Sequence, residues 1–470
     1  MIKFGTGGWR AVIGDDFTKA NIQILSKAMC DKIKAEGVDK KIVIGYDRRF
    51  LSKEAMQWAA ETFAAEGIKA YLVNKSAPTP LIMFYTMVHE FDYGMMITAS
   101  HNPATYNGIK VFTKGGRDAD EHQTEDIEKY IAAVDTANVP EMDYEEAKVA
   151  GLIEEIYPLN DYLDNILAAI DVDKIKKAGL RVAIDPMYGV SETSLKTILL
   201  TTRCDVYTIH DRHDTLFGGK LPAPNATTLR ALQNCVLDNG CDIGLATDGD
   251  ADRIGVIDDT GRFLHPNDIL VLLYYYLVKF KGWHGPVVRN LCTTHMLDKV
   301  AERFGEKCYE VPVGFKWVSA KMTETNAIIG GESSGGLTVK GHINGKDGVY
   351  AAALLVEMIA VTGKKLSQIY KDIEDECGQI FMEERDYRFS HEKKIEMTKT
   401  LLEDKKVPEL PFEIDHISYM DGCKVYFANG GWVVARFSGT EPLLRIFCEM
   451  PTAEQAKTVS EIYEDFLGLR

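Results

Sequence analysis

Three aspartates alternate along one short segment of the chain. Asp248, Asp250 and Asp252 occupy positions i, i+2 and i+4 of the segment DGDADR. Carboxylates this close repel one another unless a cation lies among them, and an all-oxygen ligand set favours Mg²⁺, Mn²⁺ or Ca²⁺ over Zn²⁺. The segment does not fit an EF-hand loop, because the sixth position of such a loop is glycine and here it is Arg253. It therefore predicts an open magnesium-type site that could accept a phosphoryl oxygen, with a solvated acidic turn as the alternative.

A serine and two basic side chains follow a predicted strand in the first part of the chain. Ser100 and His101 lie just after the apolar run Tyr93–Ile97, and Lys110 comes ten positions after Ser100. The segment lacks the G-x-S-x-G elbow of acyl-transfer hydrolases, and the chain lacks the G-x-x-x-x-G-K-[ST] cradle of P-loop nucleotide enzymes. Ser100 is therefore more economically explained as a phosphoryl carrier near the metal than as an acyl nucleophile, and an ordinary turn is the alternative.

Two further polar segments suit a phosphorylated sugar. In GESSGG, Glu332 can accept and Ser334 can donate hydrogen bonds to vicinal hydroxyls, although a plain flexible turn would have the same composition. The segment RFSGTEPLLR combines two guanidinium groups, two hydroxyls and a glycine that lets backbone N–H groups approach an anion. The predicted phosphate receptor consists of Arg436, Ser438, Gly439, Thr440 and Arg445.

The elements that must position these segments alternate between strands and helices. Residues 52–66 are predicted as a helix with Ser52 as its N-cap. Three stretches share a weak repeat: a strand, a turn that contains proline, a helix and a second strand that leads into a polar loop. Because ligands bind at the carboxyl ends of strands in open parallel sheets, the three loops are predicted to face one cleft. These loops cover residues 98–103, 247–253 and 330–336.

This alternation predicts an α/β fold arranged around a central cleft. Three similar mixed α/β domains with parallel-type sheets precede a smaller C-terminal α+β domain. A chain of 470 residues suits such a division, since domains typically have about 100–200 residues. The predicted domains span residues 1–150, 151–256, 257–375 and 376–470. In this order they carry the serine loop, the aspartate loop, the sugar-binding loop and the phosphate-binding loop.

Composition and charge limit the partners. Lys and Arg number 54 against 70 Asp and Glu, so the net charge of −16 argues against nucleic acid or an anionic membrane as a partner. The longest apolar run, Ile269–Val278, is shorter than the ~20 residues of a membrane span and is predicted as a buried helix. Nine scattered cysteines without a C-x-x-C, and an N-terminus without an apolar signal region, favour a reduced, cytoplasmic protein. The predicted partner is a small molecule, and the sequence gives no oligomeric state.

Taken together, these segments resemble the α-D-phosphohexomutase family, the phosphoglucomutases and phosphomannomutases. TASHNP with the downstream NGIK, DGDADR, GESSGG and RFSGTEPLLR occur in the family's order and approximate spacing over almost the whole chain. The resemblance implies that Ser100 is a phosphoserine whose phosphoryl oxygen completes the Mg²⁺ shell of the three aspartates, and that the GESSGG and RFSGTEPLLR residues bind sugar and phosphate. Arg10 matches an arginine that the family places near its phosphoserine, and His101 and Lys110 match its acid/base candidates. Lys316 resembles a substrate-facing lysine. In the reaction that follows from this resemblance, Arg253 and the metal would supply positive charge at the phosphoryl donor.

The activity implied by this resemblance is an intramolecular phosphoryl transfer between the 1- and 6-oxygens of a hexose. Phosphorylated Ser100 would give its group to the sugar, and a hexose 1,6-bisphosphate would form, turn over and return its other phosphoryl group. Lys110 is the first choice as general base, a role that requires a lowered pKa. Glucose and mannose phosphates are the expected substrates. The alternatives are a phosphoglucosamine mutase, a phosphopentomutase and, from another class, a sugar-phosphate phosphatase.

Two positions depart from the family pattern. Gly336 stands where some members have a histidine, and His342 is one candidate to replace it. Gly7 stands where many relatives have serine. Neither position affects the phosphoryl carrier, so the predicted class of enzyme is unchanged. Both departures concern the identity of the substrate.

Overall fold

A computed structural model of the chain describes residues 2–5, 8–437 and 443–469. These residues form four β-sheets, and each sheet, together with the helices that cover it, is called a unit and numbered in chain order. One continuous hydrophobic core runs through the first three sheets and their helices, whereas the fourth sheet packs around a core of its own. The predicted α/β architecture with a smaller C-terminal domain is therefore confirmed.

The first sheet has the strand order β1-β2-β6-β5-β3-β4-β8, with the short β7 paired to β6. Its strands are β1 Phe4–Gly5, β2 Gly8–Val12, β3 Lys41–Tyr46, β4 Lys69–Val73, β5 Tyr93–Ile97, β6 Tyr106–Thr113, β7 Arg117–Asp118 and β8 Ile153–Ile156. The helices in this part of the chain are α1 Lys19–Glu36, α2 Ser52–Ala65, α3 Thr79–Val88, α4 Glu121–Ala133 and α5 Tyr144–Val149.

The second sheet has the order β10-β9-β11-β12-β13. Its strands are β9 Arg181–Asp185, β10 Asp205–Thr208, β11 Ile243–Thr247, β12 Ile254–Ile257 and β13 Phe263–Leu264. The accompanying helices are α6 Leu159–Ala169, α7 Val172–Ala178, α8 Glu192–Thr201 and α9 Arg230–Asn239.

The third sheet has the order β15-β14-β16-β17. Its strands are β14 Val287–Asn290, β15 Cys308–Val311, β16 Ile329–Gly331 and β17 Leu337–Val339. The helices are α10 Pro266–Lys279, α11 Met296–Arg303, α12 Phe315–Thr325, α13 Gly348–Thr362 and α14 Leu366–Cys377.

The fourth sheet is antiparallel throughout, in the order β18-β22-β21-β20-β19. Its strands are β18 Phe381–Arg388, β19 Ile414–Ser418, β20 Cys423–Phe427, β21 Trp432–Phe437 and β22 Leu443–Met450. Helix α15 spans His391–Thr398 and continues into one π-helical turn, and α16 spans Ala453–Leu467.

The internal repeat predicted from the sequence is a real topological repeat. In each of the first three sheets, three parallel strands end on a fourth strand that runs antiparallel, in the orders β4-β3-β5-β6, β10-β9-β11-β12 and β15-β14-β16-β17. The loop between the last two strands of each unit is one of the three polar loops. These loops therefore leave the carboxyl ends of the third parallel strands, where open sheets bind ligands.

Some details differ from the sequence-based expectations. The first sheet recruits β8 and the second recruits β13, so both sheets extend past the boundaries predicted at 150 and 256. Edge strands join a sheet through backbone hydrogen bonds, which the side-chain pattern specifies only weakly. The division of the chain into domains stays a prediction.

Ser52 is not the N-cap of α2, which was the expectation. Leu51, with φ 63°, precedes the helix, and Ser52 is the first helical residue. The Ser52 hydroxyl instead donates to Oδ1 of the buried Asp47 at 2.8 Å, because a buried carboxylate needs donors more than the helix end does.

The apolar run Ile269–Val278 lies within α10 and is buried, as predicted. Among the described residues, no helix is both long and apolar enough to cross a membrane. All nine cysteines lie in the described part of the chain and are free thiols.

Candidate active site

Ser100 lies in the loop between β5 and β6 and reaches across to the second sheet. Its hydroxyl donates to Oδ2 of Asp248 at 3.0 Å, and Nδ1 of His101 lies 3.3 Å from the same Oγ. The backbone of Ser100 is left-handed, with φ 51°, which is uncommon for a residue other than glycine. Such strain persists where the surrounding structure enforces it and is concentrated at functional sites.

The three aspartates lie in the corresponding loop between β11 and β12, and all are buried. One carboxylate oxygen from each lies within 4.8 Å of the others. Oδ1 of Asp248 accepts hydrogen bonds from the backbone N–H groups of Asp252 and Arg253, both at 3.1 Å. The loop thus curls around Asp248 and turns all three carboxylates to one point.

The cluster has the properties of a divalent-cation site. Oδ1 of Asp250 and Oδ1 of Asp252 are buried and have no hydrogen-bond partner among the described residues. Burial and the neighbouring carboxylates of Asp252 and Asp250 raise the pKa of Asp248 well above its usual range. Orphaned buried oxygens and excess negative charge are both relieved by a hard cation such as Mg²⁺, so the donor set fits the predicted metal.

Two lysines from other sheets approach the aspartates. Nζ of Lys110, on β6, lies 2.7 Å from Oδ2 of Asp250 and 2.7 Å from Oδ2 of Asp252. Nζ of Lys346, in the loop before α13, lies 3.1 Å from Oδ2 of Asp252. Burial raises the pKa of Asp252, but Lys110, Lys346 and Arg253 outweigh it and hold that pKa well below its usual range.

The lowered pKa that Lys110 would need as a general base is not found. Burial alone would lower the pKa of this lysine, but the carboxylates of Asp250 and Asp252 outweigh it and the net shift is upward. A role as general base would require neighbouring cations or burial to lower this pKa, whereas the structure places two carboxylates beside the ammonium group. In this arrangement Lys110 is a charged ammonium group.

Cations also surround the serine side of the site. Nε of Arg253 lies 3.9 Å from Oδ2 of Asp248, and Arg10 lies on β2 opposite Gly108 of β6. The positive charge of Arg253, burial and the charge of Arg10 together lower the pKa of His101 to about 2. His101 is therefore neutral near pH 7, and the space beside Ser100 is suited to an anion.

The sugar loop docks directly on the aspartate loop. Arg253 and Gly336 form an antiparallel backbone bridge, and the N–H of Ile254 donates to the carbonyl of Gly335 at 3.2 Å. Glu332 is buried, and its Oε1 accepts from the backbone N–H of Gly314 at 2.9 Å and from Nδ2 of Asn290 at 3.2 Å. Ser334 is exposed at the tip of this loop.

His342 does not take the place of the missing histidine at position 336. Its Nε2 lies 2.6 Å from Oδ2 of Asp347 and its Nδ1 lies 3.0 Å from Oδ1 of Asn165, so both ring nitrogens are engaged elsewhere. A Cβ on Gly336 would lie 2.2 Å from Cδ of Lys346. Lys346 therefore fills the space that a side chain at position 336 would need, and it is one residue of the site that the sequence analysis missed.

Thr79 is a second residue that the sequence analysis missed. Its hydroxyl donates to Oδ2 of Asp250 at 2.7 Å, and its N–H donates to the carbonyl of Asp250 at 2.9 Å. Thr79 belongs to the proline-containing turn of the first repeat unit. The repeat places such a turn in each unit, and this was the signal in the sequence that could have marked these turns as neighbours of the polar loops.

The remaining predicted residues lie farther out. Lys316, in the first turn of α12, pairs with Glu121 of the first sheet unit at 2.9 Å. It lines a cavity of about 390 Å³, within the usual range for ligand pockets. The cavity lies between the first and third units, and its walls include Thr113, Arg117, Asp118, Phe315, Lys316 and Asn344.

Arg436 and Arg445 lie opposite each other on β21 and β22, so their side chains share a face of the fourth sheet. Nε of Arg436 donates to Oδ2 of Asp421 at 2.9 Å, and the same oxygen accepts from the N–H of Val313 in the third unit at 3.0 Å. Nε of Arg445 lies 3.5 Å from Oδ1 of Asp386. The predicted phosphate-binding residues Ser438, Gly439 and Thr440 lie outside the described residues.

Matches to four family models cover most of the chain. They are the alpha/beta/alpha domains I, II and III and the C-terminal domain of phosphoglucomutase/phosphomannomutase, at residues 1–138, 160–261, 265–377 and 393–464. A phosphoglucomutase/phosphomannomutase from Thermococcus kodakarensis is 30% identical over 461 residues, which cover 98% of this chain and 97% of the relative. A phosphoglucosamine mutase from Acetivibrio thermocellus is 30% identical over 448 residues, which cover 95% of this chain and 94% of the relative.

The solved structures agree with these sequence matches. A crystal structure from Thermus thermophilus that carries a phosphomannomutase name has a TM-score of 0.86 and 28% identity, and the match covers 99% of both chains. The chain therefore belongs to the phosphoglucomutase/phosphomannomutase family, the α-D-phosphohexomutases. Like the family, it is an intramolecular phosphotransferase with a four-part α/β architecture.

The aspartate cluster leads to a prediction about metal binding. Asp250→Asn keeps the shape of the side chain and removes one negative charge, so the affinity for Mg²⁺ should fall at least about tenfold, which is ~1.4 kcal/mol. Calorimetric titration with MgCl₂ measures this. The melting temperature in chelator should change little, because the loss of one ion pair with Lys110 is offset by weaker repulsion within the cluster.

Asp258→Asn is a matched control. Asp258 is also a buried aspartate of the second sheet unit, but its Oδ1 accepts from the N–H groups of Thr260 and Arg262 in a turn outside the cluster. Its substitution should leave the affinity for Mg²⁺ unchanged. If Asp250→Asn binds Mg²⁺ as tightly as the wild type, the metal is held elsewhere.

Proposed function

We propose that this phosphohexomutase interconverts hexose 1-phosphates and hexose 6-phosphates of the glucose or mannose series, with Ser100 as the phosphoryl carrier and a hexose 1,6-bisphosphate as intermediate and activator. The observation that carries the proposal is the 3.0 Å contact between the Ser100 hydroxyl and Asp248, at the edge of a buried three-aspartate cluster. A nucleophilic hydroxyl beside a cation site is the arrangement that phosphoryl transfer requires.

Charge neutralisation is the first demand of the reaction. A divalent cation held by Asp248, Asp250 and Asp252 would neutralise oxygens of the transferring group. Arg10 and Arg253 supply fixed positive charge on the Ser100 side, where they already lower the pKa of His101. These groups stabilise charge that is spread over the phosphoryl oxygens as the bond to Ser100 breaks.

Proton transfer is the second demand. When the phosphoryl group moves to the sugar, the bond from phosphorus to Ser100 Oγ breaks, a bond to the sugar oxygen forms, and the sugar hydroxyl loses its proton. His101 is neutral and adjacent to Ser100 Oγ, so it can accept that proton. A phosphoryl group on Ser100 adds about two negative charges, which raise the pKa of a neighbouring imidazole toward a useful range. Lys110, as an ammonium group, stabilises charge or donates a proton.

Recognition of the sugar phosphate is the third demand. We assign the sugar hydroxyls to Glu332 and Ser334, and the phosphate that is not reacting to the arginine pair Arg436 and Arg445 with the hydroxyls of Ser438 and Thr440 and the backbone at Gly439. Asp421 bridges Arg436 to the N–H of Val313 in the third unit, and the next N–H along the chain, that of Gly314, donates to Glu332. We also assign Lys316, which lines the cavity between the first and third units, to the substrate.

The choice of sugar is the finer part of the proposal. Relatives of similar identity carry phosphoglucomutase/phosphomannomutase names and phosphoglucosamine mutase names, so a phosphoglucosamine mutase is the second candidate. The sequence GESSGG resembles the glucose and mannose members more closely, which favours a neutral hydroxyl at the sugar's 2-position.

The phosphoryl carrier is tested by Ser100→Ala. The wild type should carry one phosphate after incubation with glucose 1,6-bisphosphate, and the variant should carry none and lose nearly all turnover while it keeps the wild-type melting temperature. Intact-mass spectrometry and a coupled mutase assay measure these outcomes. Ser26→Ala, which removes a buried hydroxyl of α1, should retain both phosphate and activity. A wild type that turns over at full rate without ever carrying phosphate would contradict the mechanism.

The substrate is tested with a panel of 1-phosphates of glucose, mannose, glucosamine and ribose. Glucose 1-phosphate or mannose 1-phosphate should give the highest kcat/KM, because Glu332 and Ser334 are suited to neutral vicinal hydroxyls. The panel is assayed with bisphosphate activator, and free phosphate is followed in parallel to detect a phosphatase. A higher kcat/KM for glucosamine 1-phosphate would replace the proposed substrate and leave the mutase class intact.

The phosphate-binding role is tested by Arg436→Ala. A charge-assisted contact is worth about 1.5–3 kcal/mol, so KM should rise roughly 10- to 150-fold, and kcat should fall less because the contact exists in ground and transition states alike. Arg385→Ala is the matched control, since Arg385 lies in the same unit, is equally exposed and pairs with Glu464 instead. An unchanged KM in Arg436→Ala would mean that the phosphate is bound elsewhere.

A further inference from the structure

Arg49 binds the backbone of the loop that carries Ser100. Nη2 of this buried arginine donates to the carbonyls of Ser100 and Asn102, both at 2.7 Å. Nη1 donates to the carbonyls of Pro103 at 2.8 Å and Tyr106 at 2.9 Å. One planar guanidinium group thus satisfies four backbone acceptors on both sides of the turn. A lysine, with a single ammonium nitrogen, could not reproduce this arrangement.

A second chain of hydrogen bonds fixes the N–H side of the same loop. The hydroxyl of Thr98 donates to Oδ2 of Asp47 at 2.7 Å and accepts from the N–H of Ser100 at 2.8 Å. Asp47 Oδ2 also lies 3.4 Å from Nε of Arg49. The left-handed Ser100 is therefore held through its N–H by Thr98 and through its carbonyl by Arg49, and these contacts offset the strain of its backbone.

The second sheet unit contributes to this arrangement. The guanidinium carbon of Arg49 lies 4.9 Å from the ring centroid of Phe217, which covers the group from the side of that unit. A Cβ on Gly249 would lie 2.7 Å from the carbonyl oxygen of Ser100, so the aspartate loop packs directly against the carbonyl that Arg49 binds. Arg49 thus lies where the serine loop and the aspartate loop meet.

We propose that Arg49 is a positioning residue that directs the phosphoryl group of Ser100 to the sugar rather than to water. The inference rests on the proposed phosphoserine mechanism. In both reactions the bond from phosphorus to Ser100 Oγ breaks, Oγ gains a proton, and the new bond forms to an oxygen that loses one. The acceptor is a sugar hydroxyl in one case and water in the other.

The two reactions differ in their need for alignment. The sugar hydroxyl is fixed by the third and fourth units, so the phosphoryl group must be presented in line with it, and a displacement of about 1 Å can cost about 100-fold. Water has no fixed position and tolerates a displaced phosphoserine. A looser serine loop therefore slows transfer to the sugar more than it slows hydrolysis.

The test is the fate of the phosphoryl group in Arg49→Lys, which keeps the charge and loses the planar contacts. Wild type and variant are phosphorylated with glucose 1,6-bisphosphate, freed of excess ligand and mixed with glucose 6-phosphate. Bisphosphate and inorganic phosphate are then measured. The variant should show kcat lower by roughly 10- to 100-fold, KM for the sugar phosphate within about threefold, and a share of inorganic phosphate several-fold above the wild type.

Arg289→Lys is the matched control. Arg289 is equally buried and pairs with Asp298 at 2.7 Å and Glu310 at 2.5 Å within the third unit. Its substitution should lower the melting temperature without increasing the share of inorganic phosphate. A lower melting temperature alone reduces the amount of folded enzyme, but it does not change the fraction of phosphoryl groups that reach water instead of the sugar. The ratio of inorganic phosphate to bisphosphate therefore distinguishes a loss of positioning from a loss of stability.

Phe217→Leu provides a second variant, which removes the ring face and leaves Arg49 in place. It should shift the ratio in the same direction by a smaller factor, and it keeps the proposal testable if Arg49→Lys does not fold. An unchanged ratio in whichever of these variants folds overturns the inference and leaves the proposed function standing. A wild type that never carries phosphate on Ser100 overturns the proposed function and the inference with it.

Discussion

The mutual repulsion of three buried carboxylates is the constraint on which the rest of the site depends. An ionised carboxylate in the interior is costly unless it is paired, and Asp248, Asp250 and Asp252 lie within one short loop. The second sheet unit does not compensate them by itself. Lys110 comes from the first unit and Lys346 from the loop before α13, so compensation requires that separate units close around the aspartate loop. The charges of the cluster are thus compensated only when the units are assembled.

The lysines do not compensate the aspartates completely, and the remaining negative charge suits a cation. Two buried aspartate oxygens remain without hydrogen-bond partners among the described residues, and the pKa of Asp248 is raised by burial and by its neighbours. Immediately beside them, Arg10 and Arg253 depress the pKa of His101. The Ser100 hydroxyl therefore lies between aspartate oxygens that suit a cation and arginine charges that suit an anion. The overall charge of −16 says nothing of this local arrangement, because a few fixed cations in a buried site dominate the field there.

The third and fourth units are joined by polar contacts of their own. Lys424 of the fourth sheet donates to the carbonyl of Leu291 and to Glu310, which also pairs with Arg289. Asp421 binds the backbone of the third unit and Arg436 through one oxygen. The third unit, with the residues that we propose bind the sugar, is thus connected through a few hydrogen bonds to the fourth unit, with the residues that we propose bind its phosphate. Arg49 and Phe217 do the same for the first and second units.

The sequence by itself determined the class of fold, the repeat, the four polar loops and the aspartate cluster, because periodicity, turn residues and dense carboxylates are local properties. The tertiary structure decided what those residues face. Although burial alone would lower the pKa of Lys110, the two aspartates that it faces raise that pKa, whereas a general base would require a lowered one. His342 is bound by Asp347 and Asn165, and Lys346 fills the space beside Gly336. Arg49 and Thr79 act on residues more than fifty positions away, which no local pattern encodes. Residue type and spacing identify the groups that can do chemistry, whereas their charge state and orientation depend on neighbours that only the folded chain brings together.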